Sequence, residues 1–209
     1  LKLSFQYLLM IHLPLVLSAA LIPLAGGPLL YLPIHIVWLE LIIHPSALLV
    51  FNNLPPRGRL QMQGRRRRIR FFTAWEWLGI VVVGALITAT LVLGYARNLG
   101  DGQDVEHARA MALVSLTVAS ATVVAALSGL RTVTAWLVVL LTLAGSFLLV
   151  QTPGLSSWLH VSPLHGDDWL IASAGGLVAA LLPALQWLRL PGRNQQAPER
   201  VAGNAPDGG

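Results

Sequence analysis

The chain has 209 residues, 55% of them hydrophobic and only 11% charged, with a mean hydropathy of +0.67. That composition excludes an ordinary water-soluble domain and describes an all-α integral membrane protein. The net charge of +5 suggests nucleic acid only until the charges are located, and the absence of cysteine removes disulfides, thiolate metal sites and thiol catalysis together.

No Met stands at residue 1, and the first apolar run begins behind a single Lys2. This reads as part of a longer chain, without a cleaved signal peptide. Residues 3–25 form a first expected span, interrupted by His12 and Pro14 and closed by Pro23 and a Gly26-Gly27-Pro28 turn. His12 falls near mid-depth, and Pro14 removes the donor that would serve the carbonyl of Met10. A histidine that packs one helix on another is the competing reading for His12, beside that of ligand or proton relay.

Residues 29–51, LLYLPIHIVWLELIIHPSALLVF, form the second expected span and the one that carries chemistry. At 1.5 Å per residue they extend roughly 34 Å, enough to cross a hydrocarbon core with some tilt. Glu40 and His44 are four residues apart and so share a helix face. Pro45 has no N–H, which frees the backbone carbonyl of Leu41 as an oxygen ligand beside Glu40. Holding a carboxyl at that depth costs on the order of 2.5 to 3.5 kcal/mol, so Glu40 and His44 are expected to bind a metal cation or a proton. The alternative is a kink at Pro45 with a protonated Glu40 bonded to a neighbouring helix. His35 lies nearer the outer end and is a weaker candidate.

Seven arginines, Arg57, Arg59, Arg65, Arg66, Arg67, Arg68 and Arg70, fill the stretch between residues 52 and 70 without one acidic partner. Flanked by spans, such a run marks a basic cytoplasmic loop against anionic lipid rather than a nucleic-acid site. A third span at 71–96 opens on the aromatic belt Phe71, Phe72, Trp75 and Trp77, in which Glu76 reads as an interfacial anchor. The polar loop 97–109 lacks calcium-loop spacing. The fourth span, 110–130, is rich in Ala, Ser and Thr, which permits close helix approach and lets some hydroxyls line an ion path. A fifth span at 133–152 follows Arg131 and Thr132. His160, His165, Asp167 and Asp168 match no compact metal motif and read as a solvated outer loop before the sixth span, 169–190. Residues 191–209, rich in Gly, Pro, Asn and Gln, are expected to form a disordered cytoplasmic tail. With both termini cytoplasmic, all basic residues except Arg97 and Arg109 fall on the inner side. The expectation is therefore a bundle of six transmembrane helices over residues 1–190, in a bacterial plasma membrane.

Tyr7-x4-His12-x-Pro14, the turn Pro28-x4-Pro33, and Ile36-Val37-Trp38-Leu39-Glu40-Leu41-Ile42-Ile43-His44-Pro45 running on to Phe51 and Pro55-Pro56 give the chain a resemblance. It resembles the C-terminal transmembrane half of P-type cation-transporting ATPases, in the branch of calcium and manganese pumps. The resemblance implies that the spans correspond to the pump's fifth to tenth membrane helices, with Glu40 and His12 at cation-coordinating positions. Relatives carry Asp where His44 stands, and calcium pumps carry Glu one turn beyond the His12 position, where this chain has Leu15. Imidazole in place of carboxylate favours a softer metal or a proton. The partners implied are the lipid bilayer, a transported cation, and the actuator, phosphorylation and nucleotide-binding domains that use ATP and Mg. The phosphorylated Asp-Lys-Thr-Gly-Thr motif does not occur in the sequence, so this chain alone has no means of hydrolysing ATP. A non-catalytic membrane scaffold, or a degenerate pump remnant without transport activity, is the alternative.

Overall fold

The computed structural model describes residues 1–54, 72–100 and 104–188. The arginine loop and the tail expected to be disordered lie outside these residues, as do Asp101 and the last two residues of the expected sixth span. Seven helices are described: α1 (Lys2–Leu24), α2 (Pro33–Asn52), α3 (Ala74–Gly100), α4 (Val105–Ser128), α5 (Val133–Gln151), α6 (Pro153–Trp158) and α7 (Gly166–Leu188). Among the described residues α1 to α5 are each long and apolar enough to cross a membrane. In lipid a backbone must satisfy its own hydrogen bonds, which is why apolar runs of this length become helices.

Several expected boundaries shift, each for a local reason. The second helix begins at Pro33, not at residue 29: Leu32 is extended (φ −83°, ψ 159°), as the residue before a proline prefers, and Pro33 takes the first helical position. The third helix runs on to Gly100 instead of ending at 96. The fourth begins at Val105 instead of 110, with Asp104 in the extended conformation of a helix-preceding residue and Glu106 in the first turn. The expected polar loop 97–109 is thus mostly helix. Its partner end is closed by Gly129, left-handed at φ +63°, whose N–H bonds the carbonyl of Ala125 at 2.8 Å. The stretch taken for a loop after the fifth span contains α6, started by Pro153, and α7 begins at Gly166 rather than Trp169. Asp168 accepts a bond from the backbone N–H of His165 at 3.0 Å there.

The helix α4 is the centre of the bundle. It packs against α1, α2, α3, α5 and α7, and 17 of its 24 residues are buried, against 5 of 19 in α5. Small side chains make this possible. At Gly176 of α7 an added Cβ would stand 2.5 Å from the backbone oxygen of Ser115, so only glycine permits that approach. Of the hydroxyls of α4, Thr117 and Thr122 donate to carbonyls of their own helix and Ser115 donates to the carbonyl of Ala172 of α7. By contrast α5 turns Leu137, Leu140, Leu141, Phe147 and Leu148 outward, an apolar surface suited to lipid or to a further helix.

Polar contacts gather at the two ends. At one end Lys2 pairs with Glu76 at 2.6 Å, while Thr73 and Glu76 form a reciprocal capping box at the start of α3. The interfacial anchor expected of Glu76 is therefore tied to the first helix. At the other end Tyr95 and Arg109 bond to the carbonyls of Pro28 and Leu29. His35 is fully buried there. Its Nδ1 accepts the N–H of Leu32 at 3.1 Å and its Nε2 donates to the carbonyl of Leu159, pinning α2 to the turn after α6.

Three substitutions test this packing by thermal unfolding in detergent. Gly176→Leu is expected to lower stability by about 1–3 kcal/mol or to abolish folding, whereas Gly94→Ala, where an added Cβ meets nothing within 4 Å, is expected to be neutral or stabilising by up to about 1 kcal/mol. His35→Leu leaves the Leu159 carbonyl and the Leu32 N–H without their partner and is expected to lower stability by about 1–3 kcal/mol. An unchanged melting curve for His35→Leu would show that the pin is idle.

Candidate cation site

The α1–α2 hairpin sets the middles of its two helices side by side. His12 on α1 and Glu40 on α2, 28 residues apart in sequence, are in contact: His12 Nε2 lies 3.1 Å from Glu40 Oε1. One turn further along α2, His44 Nδ1 lies 2.6 Å from Glu40 Oε2. The imidazole rings of His12 and His44 meet edge to face, at 5.7 Å between centroids and 81° between planes. One ligand atom from each of the three side chains falls within 4.8 Å of the others, and among the described residues this is the one group of three or more His, Asp or Glu so placed.

Glu40 is held from two directions by chemically distinct contacts. Its Oε2 is sealed from solvent, and the approach of His44, close as it is, lacks hydrogen-bond alignment; it is an ion-pair distance rather than a directed bond. The contact with His12 is directed. The other ring nitrogen of His12, Nδ1, faces the carbonyl of Leu8 at 2.9 Å, and since a carbonyl only accepts, Nδ1 carries a proton. In neutral His12 that leaves Nε2 as a lone pair turned towards Glu40. The trio is not enclosed. The side chains of His12 and Glu40 are about one-third exposed and that of His44 57% exposed, so the group sits on the flank of the bundle with His44 outermost.

The carbonyl of Leu41, singled out from the sequence, still lacks the N–H of residue 45, but α2 continues through Pro45 without a break, and α1 likewise continues through Pro14. The interruption read at Pro14 is corrected to a continuous helix, as is any break at Pro45: α1 lacks the internal bonds of Pro14 and Pro23, and α2 that of Pro45. Leu15, on α1, is a buried aliphatic residue and supplies no oxygen. His35 is part of the structural pin and stands apart from the trio. His160 and His165 are exposed at the far end, where Asp168 lies between His107 at 3.5 Å and His165 at 3.6 Å.

Sequence reasoning quoted Tyr7 as a motif residue and overlooked its structural part. Tyr7 is fully buried, and its hydroxyl lies 2.7 Å from Ser120 Oγ of α4, with its ring tilted against Phe51 of α2. It joins the helix of His12 to both the hub and the helix of Glu40. The five-residue spacing from Tyr7 to His12 was the available signal, but Ser120, 113 residues on from Tyr7, gave none.

A comparison with protein families finds a match to the family described as cation transporting ATPase, C-terminus, over residues 28–190. The match includes Glu40 and His44 and begins after His12. No curated protein matches the sequence. The matched segment covers most of the chain and contains α2 through α7, with apolar helices of the length that a bilayer requires. The chain therefore belongs to the cation-transporting ATPase C-terminal family, as an integral membrane portion of a P-type cation ATPase.

Proposed function

We propose that this chain is the ion-pathway domain of a cation pump of the calcium- and manganese-pump branch, and that His12, Glu40 and His44, with the backbone carbonyl of Leu41, bind the cation or proton it moves. The observation that carries this reading is the convergence of a carboxylate and two imidazoles from two helices in the midst of apolar residues. Ionisable groups at such a depth serve ion pathways or proton relays when they are not mere packing residues. Here all three face one another, as a shared ligand requires.

In this reading α7 is the sixth span, residues 1–190 form one membrane domain, and residues 191–209 are its cytoplasmic tail. The arginine loop and both termini lie on the cytoplasmic side of a bacterial plasma membrane, as the distribution of basic residues favours. The transported cation is the substrate. ATP and Mg act on the actuator, phosphorylation and nucleotide-binding domains of the pump, and this sequence offers no motif to hold them. This chain's contribution is to hold the ion between α1 and α2 while the helices change its access from one side to the other.

The test is ion-stimulated ATP hydrolysis by the full-length protein. Glu40→Gln and His44→Ala are expected to raise the ion concentration needed for half-stimulation by about 10- to 100-fold or more, the loss that follows even from removing a ligand's supporting partner. Glu76→Gln, in the first turn of α3 where it is tied to Lys2 and stands apart from the trio, serves as the control and is expected to leave ion dependence unchanged. Unaltered ion dependence in Glu40→Gln would make Glu40 a packing residue.

A further inference from the structure

Resting on the trio as the cargo site, we infer that the ion it selects is a borderline transition-metal dication of the zinc class, not calcium. The donor set is the first reason. Calcium takes six to eight oxygen ligands at 2.3–2.6 Å. The group here offers two imidazole nitrogens and one carboxylate, and no further Asp or Glu joins it among the described residues. The neighbouring positions Ile11 and Leu15 of α1, and Leu39 and Ile43 of α2, are buried aliphatics that supply no side-chain oxygen. Imidazole ligands shift preference along the first transition row towards copper and zinc.

Spacing is the second reason. Ligands held at about 2.0–2.1 Å around a tetrahedral zinc ion stand roughly 3.3 Å from each other. His12 Nε2 and Glu40 Oε1 are already 3.1 Å apart, and no pair among the three ligand atoms exceeds 4.8 Å. The excess is small, and it falls within reach of His44, the outermost and least confined of the three.

The third reason is the support behind His12. Zinc-binding histidines commonly donate their second ring N–H to a carbonyl or carboxylate, which fixes the ring and turns the other nitrogen's lone pair to the metal. His12 does this through Nδ1 and Leu8. With that proton placed, the 3.1 Å contact of Nε2 with Glu40 Oε1 is a hydrogen bond while a proton sits on either atom, and loss of that proton leaves two lone pairs that a cation can bridge. Three protein ligands leave the fourth position of a tetrahedral ion open to water or to the Leu41 carbonyl, as in sites whose ion is exchanged rather than fixed.

The probe is Co2+, a coloured stand-in for zinc, titrated into the full-length protein in lipid nanodiscs free of chelator, with Zn2+ and Ca2+ as competitors. One Co2+ per chain is expected, with a visible spectrum of nitrogen ligation, displaced by stoichiometric Zn2+ and retained in about 1,000-fold excess Ca2+. His12→Ala and His44→Ala are each expected to weaken binding at least about 10-fold, with His12→Asn and His44→Gln as volume-conserving versions should the alanine variants not fold. His165→Ala, at a side chain 92% exposed, is expected to change nothing. Displacement of Co2+ by calcium at similar concentration, or calcium binding that survives loss of both histidines while still depending on Glu40, would overturn the metal class and leave the cargo site standing. Co2+ binding lost only in His165→Ala would overturn it as a surface effect. Ion-stimulated ATP hydrolysis indifferent to Glu40→Gln would overturn the site itself.

Discussion

A carboxyl group in the middle of an apolar helix has to be neutralised, bonded or bound to a cation, and Glu40 meets that constraint with two imidazoles drawn from two helices. The hairpin geometry follows from it. The middles of α1 and α2 can hold His12 and Glu40 in contact only if the helices run antiparallel, in register and close together. Their intervening segment therefore turns at Gly26, with its φ of +83°, and tucks Leu30 and Tyr31 into the bundle. Tyr7, one and a half turns from His12, then ties the same pair of helices to α4 through Ser120.

The bundle thereby divides into a tightly packed frame and a more open flank. The frame is α4 with α7 and α3, joined through glycines and small residues that leave little room for sliding. The flank is the face of the α1–α2 hairpin that carries the trio. Val37, Leu41 and Leu48 of α2 are all turned outward beside it. Like the outward face of α5, this apolar flank is suited to lipid or to a further helix, so the trio lies where α1 and α2 meet whatever covers them. The hairpin is tied to the rest of the bundle at both ends, by Lys2 of α1 with Glu76 of α3 at one level and by the His35 pin to Leu159 at the other.

The five long apolar helices and the clustering of the candidate trio were legible because their signals are local. Long apolar runs specify helices in lipid whatever packs around them, and a spacing of four puts Glu40 and His44 on one face by helix geometry alone. The contact of His12 with Glu40 was legible through the short connection, which leaves an antiparallel hairpin as the natural arrangement. What escaped the sequence depended on partners far along the chain. The burial of His35 requires Leu159, the Tyr7 tether requires Ser120, and the pairing of Glu76 requires the first helix to begin beside the third. The misplaced boundaries have a different cause. Polar residues such as Arg97 and Arg109 look like loop in a hydropathy reading, yet helices extend past the apolar core until a glycine, a proline or an extended residue stops them. The prolines misled in the opposite direction: Pro14 and Pro45 each delete one hydrogen bond, and the surrounding apolar packing keeps both helices continuous.

X-ray absorption at the zinc edge, on the full-length protein loaded with one equivalent of Zn2+, tests the central claim most directly because it reads the atoms around the ion. The trio predicts two imidazole nitrogens at about 2.0–2.1 Å with oxygen completing the shell, and loss of one nitrogen in the His12→Asn variant. A shell of oxygens alone, or a spectrum that the loss of His12 does not alter, would contradict it.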